Sequence, residues 1–189
     1  TKHLRQRLNH PTIVLLGSSV GSLVGLMMVR HSPDLFGAYV GANQNSPAPG
    51  HTWSAVLQAA QQANKRKWIA KLSEMGPDPD QWSVEQYDNL NRWAVDAMPH
   101  APHMIYDLML PALLWSPDYS LRDLNRLERG MRLTLQALYP ELQRFDFSSI
   151  GDVFQVPLFF VLGDQDILTP AGPARRYLDS LKAPLKSFD

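Results

Sequence analysis

Residues 12–44, TIVLLGSSVGSLVGLMMVRHSPDLFGAYVGANQ, limit the fold more than any other part of the chain. A short, unbroken apolar run (TIVLL, 12–16) meets Gly17-Ser18-Ser19-Val20-Gly21 and passes into an apolar segment of small residues. Pro33 and Gly37 then punctuate the chain before a second apolar run, AYVGAN at 38–43. Runs of this length and composition read as fully buried strands. Strand, helix over 20–31 and strand make a βαβ unit, so the sheet is parallel here.

The turn between the first strand and the helix admits four readings. Residues 12–29 carry no charge, and Gly17, Gly21 and Gly25 fall at four-residue intervals, a packing pattern of membrane helices. The length is marginal for a span, and Gly-Ser-Ser after a strand-like run interrupts a helix. A phosphate cradle needs Gly-x-Gly-x-x-Gly or a Lys after the last Gly, and neither is present. A packing seam accounts for Gly25 and Ser22 but not for a polar Ser19 at the tip of the turn. The fourth reading is Gly-x-Ser-x-Gly, the elbow that exposes a serine nucleophile between a strand and a helix. There the Ser19 Oγ stands above the sheet, and bulky side chains at Gly17 and Gly21 are expected to collide. The helix start offers the Val20 N–H to an oxyanion.

Bulk composition removes several classes. Eighteen basic residues balance eighteen acidic ones, with no long single-sign block, which argues against a nucleic-acid or anionic-membrane partner. The chain has no cysteine, so disulfides, thiolate nucleophiles and zinc-thiolate sites are excluded. No residue pattern calls for a metal or cofactor. The compartment stays open, with the cytoplasm favoured, and oligomeric state is not legible. With no initiator Met and an apolar pattern resuming at Phe188-Asp189, both ends read as cut.

From Ser46 the pattern turns helical for about a hundred residues. Helices are expected over 52–75, 83–98, 104–115 and 121–139, with breaks at GPDPD (76–80), PHAPH (99–103) and SPDYS, and Pro140 closing the last one. Ser120 and Asp123 form a capping pair. Strand character returns in PLFFVLG (157–163), followed by a loop, a helix over 171–183 and a fourth strand at 184–189. The fold class is α/β, a mostly parallel sheet with an inserted helical cap: residues 1–44 and 150–189 form the core and 45–149 the cap.

Residues 12–44 resemble the elbow region of the α/β-hydrolases, and VPLFFVLGDQDILTP (156–170) resembles that family's acid strand. The nearest likeness is to the proline-iminopeptidase-like branch, which carries a helical cap after the strand that follows the elbow helix. The resemblance implies Ser19 as nucleophile and Asp166, in Gly163-x-x-Asp, as the acid that orients a catalytic histidine. It implies an acyl-enzyme on Ser19 formed from a small ester or amide, or from an N-terminal peptide bond. Ser18 stands where relatives often carry His, Asn or another polar residue. The family's early oxyanion loop has no counterpart in 1–189, and no His follows His103. By the family pattern the histidine falls shortly beyond Asp189, so the segment alone is expected to be inactive. Epoxide hydrolases and dehalogenases need Asp at position 19 and are disfavoured.

Alternatives remain for several residues. The alternative role for Asp166 is a cap on the 171–183 helix, and Asp164 suits either job. His100 and His103 read as loop histidines between prolines. His31 reads as a helix C-terminal partner of the dipole. Trp53, Trp68, Trp82, Trp93 and Trp115 serve a cap core, a pocket lining or both. Glu74, Glu85, Glu128 and Asp123 are all available to bind a peptide amine, and spacing selects none. A non-catalytic binding domain that keeps the elbow for packing is the alternative function.

Overall fold

The computed structural model describes residues 2–48, 50–98, 107 and 110–189, with the side chains of 2, 121, 124, 125 and 128 left out. His100 and His103 lie outside the described residues. The chain divides into two compact units, one of Thr1–Ala48 with Asp146–Asp189 and one of Pro49–Phe145.

The first unit contains α1 (Lys2–Leu8), β1 (Ile13–Ser19), α2 (Val20–His31), β2 (Phe36–Gln44), β3 (Leu158–Val161), α8 (Ala171–Ser180) and β4 (Lys186–Phe188). The four strands lie in the order β1-β2-β3-β4 and every neighbouring pair is parallel. One face of the sheet is dry: Tyr39, Leu158 and Phe160 are fully buried, and the Tyr39 and Phe160 rings meet edge to face at 6.4 Å. Helix α2 covers this face closely because Gly25 presents no side chain to it. A Cβ at Gly25 would stand 2.6 Å from the Tyr39 ring. The opposite face carries exposed Val14, Leu16 and Val161. The uncharged stretch 12–29 is thus a strand and a helix. No helix among the described residues is long and apolar enough to cross a membrane.

The β1–β2 register slips once near the end that matters. Ser18 pairs with Ala42, but Ser19 pairs with Gln44. Asn43 is the extra residue, a bulge with φ +48°. Asn is among the few residues that tolerate this left-handed conformation. A one-residue slip turns the following side chain to the other face of a strand. Gln44 accordingly shares the buried face of Tyr39 and Gly41, where it is fully buried and accepts a 2.7 Å hydrogen bond from the Tyr39 hydroxyl. Gly41 is required beneath it, since a Cβ there would overlap Gln44 Oε1.

The second unit is helical: α3 (His51–Gln62), α4 (Arg66–Met75), α5 (Val84–Ala97), α6 (Leu110–Trp115) and α7 (Leu121–Gln143). The expected single helix over 52–75 is two, broken at Ala63–Lys65, where Asn64 takes φ +51°. Its core holds Val56, Ala60, Leu72, Leu90 and Ala94, all almost fully buried. Trp53 and Trp82 donate their indole N–H groups to the Leu72 and Gly76 carbonyls, and Trp68 stacks on Trp93 at 5.5 Å. Trp115 departs from the core expectation, being 88% exposed in this unit.

Helix α7 runs past Pro140 rather than ending there. A proline inside a helix forfeits one backbone bond and crowds the preceding turn. Tertiary bonds hold the extra turn: Gln143 donates to the Pro79 and Trp82 carbonyls at 3.3 and 3.0 Å, and Tyr139 donates to the Trp82 carbonyl at 3.0 Å. The expected pairing of Ser120 and Asp123 is present: the Asp123 carboxylate accepts from the Ser120 N–H at 2.9 Å and from its hydroxyl at 2.6 Å.

Candidate active site

Ser19 ends β1 and is the N-cap of α2. Its backbone sits at φ +51°, ψ −128°, which costs a non-glycine residue on the order of 1–3 kcal/mol. The surroundings hold it there. Gly17 lets the chain double back: a Cβ at that position would lie 2.7 Å from the Gly21 carbonyl oxygen and 2.9 Å from Ser22 Cα. Gly21 differs from Gly17 at the level of a single methyl group. A Cβ at Gly21 meets nothing within 4 Å. Val20 opens α2, so its N–H is one of the four that a helix start cannot use internally. Ser19 and Val20 are both exposed.

Ser22, one turn into α2, is fully buried. Its hydroxyl donates to the Ser19 carbonyl at 2.6 Å and accepts from the Asn45 N–H at 2.9 Å. The Ser19 peptide is therefore tied to the chain just beyond β2. The Tyr39 hydroxyl also lies within hydrogen-bond distance of the Ser22 carbonyl, at 2.9 Å. Burial pushes the Tyr39 phenol well above its ordinary range, and the charge of Tyr177 would push it the same way; the Ser22 bond acts against both.

Asp166 follows β3 and lies at the same end of the sheet, because it bonds the residue beside Gln44, the partner of Ser19. Its Oδ2 accepts from the Asn43 amide at 2.8 Å and from the Thr169 hydroxyl at 2.5 Å. Its Oδ1 accepts from the Leu168 and Thr169 N–H groups at 2.8 and 2.9 Å. These four donors fix the plane of the carboxylate. The helix-cap alternative is not realised: α8 has Pro170 at its N-cap and no side-chain cap bond. Asp164 is exposed.

Other candidates separate from this end. His10 Nδ1 lies 2.6 Å from the Thr12 carbonyl, and His31 stands in the last turn of α2. Asp123 is committed to the α7 cap, where hydrogen bonds from Ser120 hold its carboxyl below the usual range. Glu74 and Glu85 are exposed on α4 and α5, and the Glu128 side chain lies outside the described set. Among the described residues no cluster of His, Cys, Asp and Glu is arranged to hold a metal. Asn43, Ser22 and Thr169 were not singled out from the sequence as partners of this site. Only the Asn at a strand end, a residue suited to a left-handed bulge, hinted at one of them.

Ser19, strained between a parallel strand and a helix, and Asp166, anchored after another strand, lie toward one end of the sheet. The known proteins this chain is similar to include α/β-fold hydrolases. No family model matches the chain. It is 27% identical over 197 residues to the probable aminopeptidase YbaC of Bacillus subtilis, an alignment covering all of this chain and 60% of that protein. The chain thus spans about 60% of the length of the curated relative it matches. Among solved structures it is similar to a proline iminopeptidase-related protein from Thermus thermophilus, with 19% identity, TM-score 0.48, and 98% of this chain and 58% of that one covered. It is also similar to an α/β-fold-family hydrolase from Bacillus anthracis, with 13% identity, TM-score 0.46, and 100% and 63% coverage. In this chain the parallel strands belong to the first unit, and the helical unit falls between β2 and β3 in sequence.

Proposed function

We propose that this chain is the nucleophile- and acid-bearing part of a serine hydrolase, with Pro49–Phe145 as its cap. The observation that carries the reading is the Ser19 backbone at φ +51°, strained where the strand turns into α2. Strain of this kind persists only where the surroundings over-determine it, and it clusters at functional sites.

In this reading the Ser19 Oγ attacks the carbonyl carbon of an ester or amide as its proton passes to an imidazole. The tetrahedral oxyanion takes a hydrogen bond from the Val20 N–H. The C–O or C–N bond breaks, the leaving alcohol or amine takes the proton, and the acyl group remains on Ser19 until water releases it. Asp166 holds the imidazole in the required tautomer. That histidine is not among the four partners Asp166 has within the described residues. It is assigned to the complete protein on the family resemblance. The name of the Bacillus subtilis relative makes N-terminal aminoacyl amides the first substrate class to try, with small esters next. No cofactor enters any step.

The test is Ser19→Ala in the full-length protein, assayed with p-nitrophenyl acetate and with aminoacyl p-nitroanilides. Turnover and fluorophosphonate labelling are expected to vanish while the circular dichroism spectrum and melting temperature stay near wild type. Turnover that survives the substitution ends the reading and favours a domain that keeps the elbow for packing alone.

A further inference from the structure

We propose that Asn43 is a positioning residue, which the β2 bulge aims at Asp166 so that the acid is held in register with the Ser19 turn. The inference rests on the hydrolase reading above and goes beyond it.

Three of the four hydrogen bonds to Asp166 come from its own loop, from Leu168 and Thr169. They fix the carboxylate within that loop but not relative to anything else. The Asn43 amide is the fourth donor and comes from a different strand, 123 residues away in sequence. Two residues further along, the Asn45 N–H reaches the Ser22 hydroxyl, which in turn holds the Ser19 carbonyl. Residues 43–45 therefore form a short strap. One end grips the acid and the other grips the peptide of the nucleophile.

The bulge makes the strap possible. In an unbulged ladder, Asn43 would occupy the position opposite Ser19 and Gln44 would turn to the other face. With it, Gln44 is buried beneath and anchors the strap through Tyr39 and the Asn45 carbonyl, while Asn43 is exposed and free to reach Asp166. Bulges next to active sites re-aim side chains in this manner. A misplacement of about 1 Å in a catalytic group costs on the order of 100-fold in rate, so a bond that sets the separation of acid and nucleophile is felt in turnover.

Two variants of the full-length protein test this, each measured for kcat and KM on p-nitrophenyl acetate. Asn43→Gly keeps the left-handed backbone and removes only the amide. Asn43→Asp keeps shape and backbone tolerance but replaces the donor with a like charge facing Oδ2. The Gly variant is expected to lose kcat on the order of 10- to 100-fold with KM within about twofold of wild type. The Asp variant is expected to lose more. A purely structural role would lower the melting temperature and leave kcat of the folded fraction unchanged. If the Gly variant fails to fold, the isosteric Asp variant carries the test by itself. Wild-type or raised kcat in the variants, with Ser19→Ala inactive, overturns this proposal and leaves the hydrolase reading standing. Activity surviving in Ser19→Ala overturns both.

Discussion

Gly17 and Ser22 face each other across the Ser19 turn with no room for a methyl group between them. A Cβ on Gly17 would stand 2.9 Å from Ser22 Cα and still closer to the Gly21 carbonyl oxygen. Both neighbours are backbone atoms, so neither can swing aside. The close approach forces the reversal at Ser19 and brings the Ser22 hydroxyl onto the Ser19 carbonyl.

Gly17→Ala is therefore expected to destabilise the protein by about 3 kcal/mol, the upper end of what overpacking costs. It should also lower fluorophosphonate labelling of Ser19, because the turn can relax only by moving that residue. Gly21→Ala is expected to behave in the opposite way. Its methyl group enters open space within a helix, where Ala is favoured over Gly by up to about 1 kcal/mol. Urea unfolding of the two variants beside wild type decides the matter, and equal destabilisation by both would show that the turn is built differently.

The contrast between these two glycines marks how far the sequence could be read. The βαβ unit, the strand-to-helix turn and the parallel sheet follow from local pattern, because buried parallel strands and a tight turn leave strong signals over few residues. The spacing of Gly17 and Gly21 about Ser19 is symmetric in sequence, yet the turn is not symmetric in space: a Cβ collides at Gly17 and enters open space at Gly21. Asn43 was out of reach for a related reason. A bulge changes pairing without changing composition, and its partner lies 123 residues away. The run of helix through Pro140 was hidden because Gln143 and Tyr139 overrule a local signal with bonds to Trp82, some sixty residues earlier.

Helix α5 depends on its first turn. The Ser83 hydroxyl accepts from the Gln86 N–H at 3.2 Å and the Gln86 side chain accepts from the Ser83 N–H at 2.8 Å. Ser83→Ala leaves one helix-start donor without a partner and should cost about 1 kcal/mol, with Ser83→Asp restoring most of it. Thermal melting of the three proteins is the measurement. An unchanged melting temperature in Ser83→Ala would mean that α5 is held by packing of Leu90 and Ala94 alone.

Tyr177 makes alkaline pH informative. Its side chain is 8% exposed, its ring packs edge-on against Phe147 at 5.4 Å, and its hydroxyl has no hydrogen-bond partner among the described residues. Burial pushes the phenol from 10.0 to about 12. A group that holds its proton more tightly when folded contributes stability fully below its unfolded pKa and loses it as pH rises. The loss here begins near pH 10 and is complete above about pH 12, and two units correspond to on the order of 3 kcal/mol. Tyr39 acts in the same direction. Tyr177→Phe removes an unsatisfied hydroxyl, so at neutral pH it should be as stable as wild type or more so by about 1 kcal/mol. Between about pH 9 and about pH 11.5 its urea midpoint should fall less than that of wild type. Parallel falls in the two proteins would show that Tyr177 ionises as freely in the folded chain as in the unfolded one.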